Sequence, residues 1–167
     1  MNKKFSILDY GSNNLKSVSQ SIKNLDYDCV VTSDEKVILN SNCLIIPGVG
    51  SFKNAMNNIV NSNIHNAIYK FHKSGRIIVG ICLGMQLFFD ISNEFGYTNG
   101  LSLIKGKVLS LNEINSKKNH TKVPNIGWHK IYINKNDSPF AKFNEEYMYF
   151  VHSYYVESNP VNTLFYS

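Results

Sequence analysis

Seven consecutive residues concentrate the reactive chemistry of this sequence: Gly80-Ile81-Cys82-Leu83-Gly84-Met85-Gln86. A cysteine thiolate attacks carbonyl carbon, and small residues on either side let it stand at the tip of a sharp turn with its sulfur accessible. A helix starting directly behind the thiol favours the thiolate, because backbone N–H groups and the helix dipole point at it. The pattern points to covalent catalysis by Cys82. The same residues also suit an inert cysteine at a strand end, and the Gly-x-Cys-x-Gly spacing alone does not separate the two readings.

Acyl transfer at Cys82 needs donors for the developing oxyanion and a base. The Leu83 N–H, directly after the nucleophile, supplies one donor. A second can come from the turn Pro47-Gly48-Val49-Gly50-Ser51-Phe52, whose glycines let a backbone N–H rotate toward substrate. An ordinary strand-to-helix connection is the alternative for that turn. The base is harder to find among five histidines. His65 and His72 fall in a Lys/Asn-rich helical region and read as surface residues, while His120 lies in a polar loop and His129 follows Trp128 in a strand of undetermined facing. His152 sits in the aromatic stretch Tyr149-Phe150-Val151-His152-Ser153-Tyr154-Tyr155. It invites the role of base, but a lone histidine in such a strand is more often a hydrogen-bonded structural residue, and no acid stands at a recognisable spacing.

These turns need a scaffold to hold them at one edge. Phe5-Ser6-Ile7-Leu8, Asp28 to Thr32, Cys43 to Ile46 and Arg76 to Ile81 read as short apolar strands. Between them, Leu15, Val18, Ile22 and Leu25 recur at helical spacing, as do Ala55, Met56, Ile59 and Val60, then Ile64, Ala67, Ile68 and Phe71 after a break near Asn61-Ser62-Asn63. Leu87, Phe88 and Ile91 predict a further helix after the cysteine turn. Apolar strands alternating with helices predict an α/β fold: a mostly parallel, doubly wound sheet with helices on both faces. Ligands of such sheets bind outside the carboxyl ends of the strands, where the Pro47 and Cys82 turns both fall. Beyond Asn99-Gly100 the pattern changes to β segments without helices, at 103–109, 128–133, 147–156 and 163–166, which predicts a β-rich C-terminal extension. A long polar loop is expected between Asn112 and Pro124.

Bulk composition narrows the function classes. The 167 residues suit one domain, and 43% hydrophobic with 17% charged residues is a globular balance. No run approaches the ~20 apolar residues of a membrane helix, and the N-terminus meets Asp9 too early for a signal peptide, so a cytoplasmic protein without membrane association is expected. Three cysteines without a CxxC pair argue against a disulfide framework, and Cys29 and Cys43 read as core residues. The formal charge of +5 is spread as lysine, with Arg76 the one arginine, and Lys117-Lys118 falls in a polar stretch. That pattern speaks against nucleic-acid binding and leaves an anionic substrate or an acidic partner open.

Taken together, these segments resemble the class I (triad-type) glutamine amidotransferases, and within them the glutaminase subunits that serve imidazole glycerol phosphate synthases. The resemblance runs through Leu8-Asp9-Tyr10-Gly11, Asn14 to Val18, Ile46 to Phe52, Gly80 to Gln86, Lys122-Val123-Pro124, Gly127-Trp128 and Tyr149 to Tyr155. It implies that Cys82 attacks the side-chain amide of glutamine, that the N–H groups of Val49 and Leu83 form the oxyanion hole, and that Gly50, Gln86, Ser153 and Tyr154 hold the substrate. It also implies no metal or organic cofactor, and a heterodimer in which ammonia passes to a (β/α)-barrel cyclase subunit. Two departures stand out: Asn13 replaces a usual glycine, and His129 replaces a usual asparagine after Gly-Trp. The family carries its other two triad members in a Gly-x-Gln-Phe-His-Pro-Glu segment near the C-terminus, and His152 matches a different family strand. The expectation is therefore a single amidotransferase-like domain over 1–167, C-terminally incomplete, with a nucleophile lacking its base and little turnover. Two alternatives are a glutaminase-like subunit of a sugar amidotransferase in surface-glycan synthesis, and a non-catalytic partner-binding subunit.

Overall fold

A computed structural model of the chain describes residues 4–11, 14–115, 122–135 and 137–167. Asn13, Lys117, Lys118 and His120 lie outside the described residues. The backbone divides into two compact units, Met1–Ile104 and Lys105–Ser167.

The first unit runs β1 (Lys4–Leu8), α1 (Leu15–Lys23), β2 (Asp28–Thr32), α2 (Glu35–Leu39), β3 (Cys43–Gly48), α3 (Phe52–Asn61), α4 (Ile64–Lys73), β4 (Ile77–Cys82), α5 (Leu83–Gln86), β5 (Ile91–Ser92) and β6 (Thr98–Asn99). β1 to β4 form a parallel sheet in the order β2-β1-β3-β4. Right-handed crossovers on that order put α1 on one face and α2, α3 and α4 on the other, which is the doubly wound arrangement expected. Side chains alternate across the sheet accordingly. Ile7, Cys43 and Ile45 pack with Ile22 of α1, flanked by Phe5, Leu15, Val18 and Cys29. The intervening Leu8, Leu44 and Ile46 are fully buried on the opposite side.

Local chemistry fixes the helix ends. Asp34 caps α2 by accepting from the Lys36 and Val37 N–H groups at 2.7 and 3.1 Å. α3 and α4 separate at Asn63, which takes a left-handed conformation at φ 60°. Leu25 departs from its expected place: α1 ends at Lys23, and Leu25 is 68% exposed in the turn that follows.

The helix after the cysteine is shorter than its spacing predicts. α5 is a single turn, and Ile91 opens β5. The cause lies in backbone hydrogen bonding. The carbonyls of Leu87, Phe88, Phe89 and Asp90 accept from N–H groups of residues 100–104, so they are engaged elsewhere and do not extend the helical ladder.

The second unit contains β7 (Gly106–Ser110), α6 (Leu111–Asn115), β8 (Asn125–Lys130), β9 (Tyr132–Ile133), β10 (Tyr147–His152), β11 (Tyr154–Ser158) and β12 (Phe165–Tyr166), with 3-10 turns at Ala141–Phe143 and Pro160–Asn162. β10 pairs with β8, β11 with β7 and β12 with β9, all antiparallel. This is the expected β-rich segment, with a helical turn at the start of the anticipated 112–124 loop.

Candidate active site

β4 delivers Cys82 into an uncommon backbone conformation, φ 54° and ψ −117°, immediately before α5. A non-glycine residue adopts positive φ only when its surroundings hold it there, and such strain gathers at functional positions. The surroundings are close. A Cβ on Gly84 would sit 1.8 Å from the Ile46 carbonyl oxygen, and one on Gly80 would sit 2.5 Å from the Met85 Cα. Both glycines are required because α5 lies directly on the ends of β3 and β4. Cys82 is exposed, whereas Cys43 is buried and burial pushes its thiol pKa up. The chain therefore presents one accessible thiol in a strained turn and keeps another inert in the core.

The register of β3 against β4 places Gly48 beside Cys82. Val49 leaves the end of β3 and Leu83 leaves the end of β4, so the two expected oxyanion donors follow adjacent strand ends, about 4.8 Å apart in a paired sheet. Leu83 is the first residue of α5, where an N–H has no intrahelical acceptor. Gly50 has φ 101° with open space around its Cβ position, so the requirement there is conformational and not steric. Gln86 ends α5, four residues after Cys82, and is half-buried.

The first unit thus brings together Cys82, Val49, Leu83, Gly50 and Gln86. Ser153 and Tyr154 belong to the second unit. Ser153 links β10 to β11, and its carbonyl accepts from the Leu111 N–H at 2.9 Å. Tyr154 opens β11 opposite Ser110. Nearby, the Tyr155 phenol is raised above its ordinary pKa by burial, then by the carboxylates of Glu157 and Glu113.

The histidines sort by their contacts. His152 Nδ1 lies 2.9 Å from the Tyr154 carbonyl oxygen, and Nε2 lies 3.0 Å from the Asn125 amide nitrogen. A carbonyl oxygen only accepts, so Nδ1 carries the proton and the Nε2 lone pair takes the Asn125 N–H. This imidazole has no free lone pair, which makes His152 structural. His129 stacks edge-on against Phe150 at 5.6 Å, with Nε2 buried and unpartnered among the described residues. His65 is half-buried, not a surface residue, and packs edge-on to Tyr69; His72 is exposed.

Two residues that support the site escaped the sequence reading. The Tyr10 hydroxyl, in a side chain only 4% exposed, donates to the Pro47 carbonyl at 2.6 Å and ties the turn after β1 to the end of β3. β1 and β3 flank the point where the strand order reverses, the usual crevice of such sheets. Glu94 Oε2 accepts from the Phe52 N–H at 2.6 Å, from 42 residues further along the chain. Tyr10 carried a weak signal as a bulky aromatic inside a glycine turn, whereas Glu94 carried none. Among the described residues no group of three or more His, Cys, Asp or Glu side chains is arranged to hold a metal, and no helix is long and apolar enough to cross a membrane.

The glutamine amidotransferase class-I family matches residues 6–166. The imidazole glycerol phosphate synthase subunit HisH of Caldanaerobacter subterraneus subsp. tengcongensis is 44% identical over 92% of this chain and 73% of its own length. The HisH subunit of Bacillus subtilis is 37% identical over 95% of this chain and 74% of its own length. Among solved structures, PurLQS from Thermotoga maritima shares the fold with a TM-score of 0.65 at 20% identity, over 99% of this chain and 74% of that one. The sequence match across nearly the whole chain, joined to the strained cysteine turn at the carboxyl edge of a parallel sheet, establishes that the chain belongs to the class I glutamine amidotransferase family, alongside the HisH subunits.

Proposed function

We propose that this chain is the glutaminase subunit of an imidazole glycerol phosphate synthase, acting in the cytoplasm. The observation that carries the reading is the pairing of Gly48 with Cys82, which sets an exposed, strained cysteine beside the turn bearing Val49. The names of the relatives direct the reading to histidine biosynthesis over glycan synthesis.

In this reading the Cys82 thiolate attacks the γ-carboxamide carbon of glutamine. The carbonyl π electrons move onto oxygen, and the N–H groups of Val49 and Leu83 bind the resulting oxyanion; one such donor is typically worth about 10²- to 10³-fold in rate. Collapse of the tetrahedral species re-forms the carbonyl and expels ammonia once its nitrogen is protonated. The γ-glutamyl thioester that remains is cleaved by water to glutamate and free thiol. Gly50, Gln86, Ser153 and Tyr154 are the residues assigned to hold the glutamine. Ammonia passes to a (β/α)-barrel cyclase subunit bound as heterodimer partner. His152 is not assigned as the base, because its lone pair is already engaged.

The test mixes the chain with the cyclase subunit of an imidazole glycerol phosphate synthase and radiolabelled glutamine, followed by an acid quench and digestion. Label is expected on the peptide containing Cys82, to be removed by hydroxylamine as the γ-glutamyl hydroxamate, and to be absent from Cys82→Ala. Label or glutamate formation at an undiminished level in Cys82→Ala contradicts the proposal.

A further inference from the structure

The N-terminus of α3 is capped from outside its own segment. Ser51 stands at the N-cap position but makes no side-chain capping bond, and the first turn of α3 contains no acid. Instead the Glu94 carboxylate accepts from the Phe52 N–H at 2.6 Å. An ionised acceptor on a helix N–H makes a short, charge-assisted bond and lies favourably toward the positive end of the helix dipole. Glu94 is itself placed by its own N–H, which donates to the Ser92 hydroxyl at 3.2 Å. Ser92 is fully buried in β5.

What this bond holds follows from its position in the chain. Only Val49, Gly50 and Ser51 separate the end of β3 from the start of α3. The β3 end is anchored by the register with Cys82 and by the Tyr10 hydroxyl on the Pro47 carbonyl. The α3 end is anchored by Glu94. Between the anchors lies Gly50 at φ 101°, with nothing near its Cβ position to restrain it sterically. The orientation of the Val49 N–H is therefore set from both ends of a three-residue link. Glu94 also lies downstream of Cys82 and α5, in a segment whose far end is tied back by the bonds from residues 100–104 to carbonyls 87–90, the residues directly after α5. One carboxylate thus connects the segment that follows the nucleophile to the turn that carries the second oxyanion donor.

We propose that Glu94 is a positioning residue for acylation: by clamping Phe52 it holds the Val49 N–H in the orientation that stabilises the oxyanion formed at Cys82. This rests on the reading of Cys82 as the nucleophile toward a γ-glutamyl carbonyl. The clamp neither touches the reacting atoms nor moves a proton.

The test separates reactions that need an oxyanion hole from one that does not. A γ-glutamyl p-nitrophenyl ester acylates Cys82 through a tetrahedral oxyanion: the thiolate forms the thioester bond, the ester C–O bond breaks, and p-nitrophenolate leaves as the anion without needing a proton. Iodoacetamide alkylates the same thiolate by displacing iodide at a saturated carbon, with no oxyanion. For Glu94→Ala the first-turnover burst of p-nitrophenolate is expected to slow by about 10- to 100-fold, the scale of a sub-ångström to ångström misplacement of a catalytic group. The iodoacetamide rate at Cys82 should stay within about 2-fold, since the thiol and its access are unchanged. Glu94→Gln keeps an acceptor oxygen at the same reach and should restore most of the burst rate, which also covers the case in which Glu94→Ala does not fold. An unchanged burst in Glu94→Ala, equal slowing of both reactions, or a Glu94→Gln burst as slow as that of a folded Glu94→Ala overturns the proposal. No burst in the unsubstituted chain removes the nucleophile reading itself, whereas a normal burst there with no effect of Glu94→Ala removes only the clamp.

Discussion

Cys82 stands at positive φ where Gly80 and Gly84 let α5 lie directly on the ends of the strands. Gly84 and Gly50 illustrate two different reasons for glycine, and they predict different behaviour. At Gly84 the obstacle is steric: an added Cβ would meet the Ile46 carbonyl oxygen at 1.8 Å, so Gly84→Ala must push α5 off the sheet. Overpacking of this kind destabilises by about 1–3 kcal/mol or more. At Gly50 the space is open and only the backbone, at φ 101°, resists a side chain. Gly50→Ala is expected to cost about 1–2 kcal/mol through left-handed backbone strain and to slow acylation more than it lowers stability. Urea unfolding combined with the acylation burst checks both. Equal stability losses with equal rate losses in the two variants contradict this division. At the same scale, the strained turn at Cys82 and the turn at 47–52 were legible because glycines mark tight turns and a cysteine between them marks a reactive position. Tyr10 and Glu94 were not, since a hydroxyl on a distant carbonyl and a carboxylate on a distant N–H leave no local spacing to detect.

The elements were legible where their period is set by burial. β1 to β4 lie within two residues of the expected segments, and the break between α3 and α4 falls at the expected Asn-Ser-Asn. The failures share one cause. Leu25 fits the helical spacing yet lies beyond the end of α1, and Ile91 fits a helix that stops at Gln86; in both, backbone groups are satisfied in another way. β4 carries a further consequence. It is an edge of the four-stranded sheet, and Ile77, Val79 and Ile81 on one of its faces are 67%, 40% and 42% exposed. Their register partners Cys43 and Ile45 on β3 are buried beneath α1. Exposed apolar side chains on an unpaired parallel edge favour self-association. Sedimentation of the purified 167-residue chain is expected to show association that grows with concentration and weakens in Val79→Lys. A monomer at all concentrations, or no effect of the lysine, contradicts it.

At the scale of the molecule, the chain divides into two units, Met1–Ile104 with the cysteine turn and the parallel sheet, and Lys105–Ser167 with antiparallel strand pairs. The β-rich composition of the second unit was visible from residue 103 onward, but its pairing was not. Neighbouring strands β10 and β11 choose different partners, β8 and β7, and no local pattern encodes that choice. Family membership adds the reaction, and the strained cysteine beside Gly48 supplies its physical basis. The central claim is that Cys82, alone among three free thiols, attacks a γ-glutamyl carbonyl. Intact-mass analysis after treatment with a haloketone analogue of glutamine tests it most directly. The account predicts one adduct per chain, mapped to Cys82, suppressed by excess glutamine and absent in Cys82→Ala. Labelling spread over Cys29 and Cys82 without protection by glutamine, or no adduct at Cys82, would contradict it.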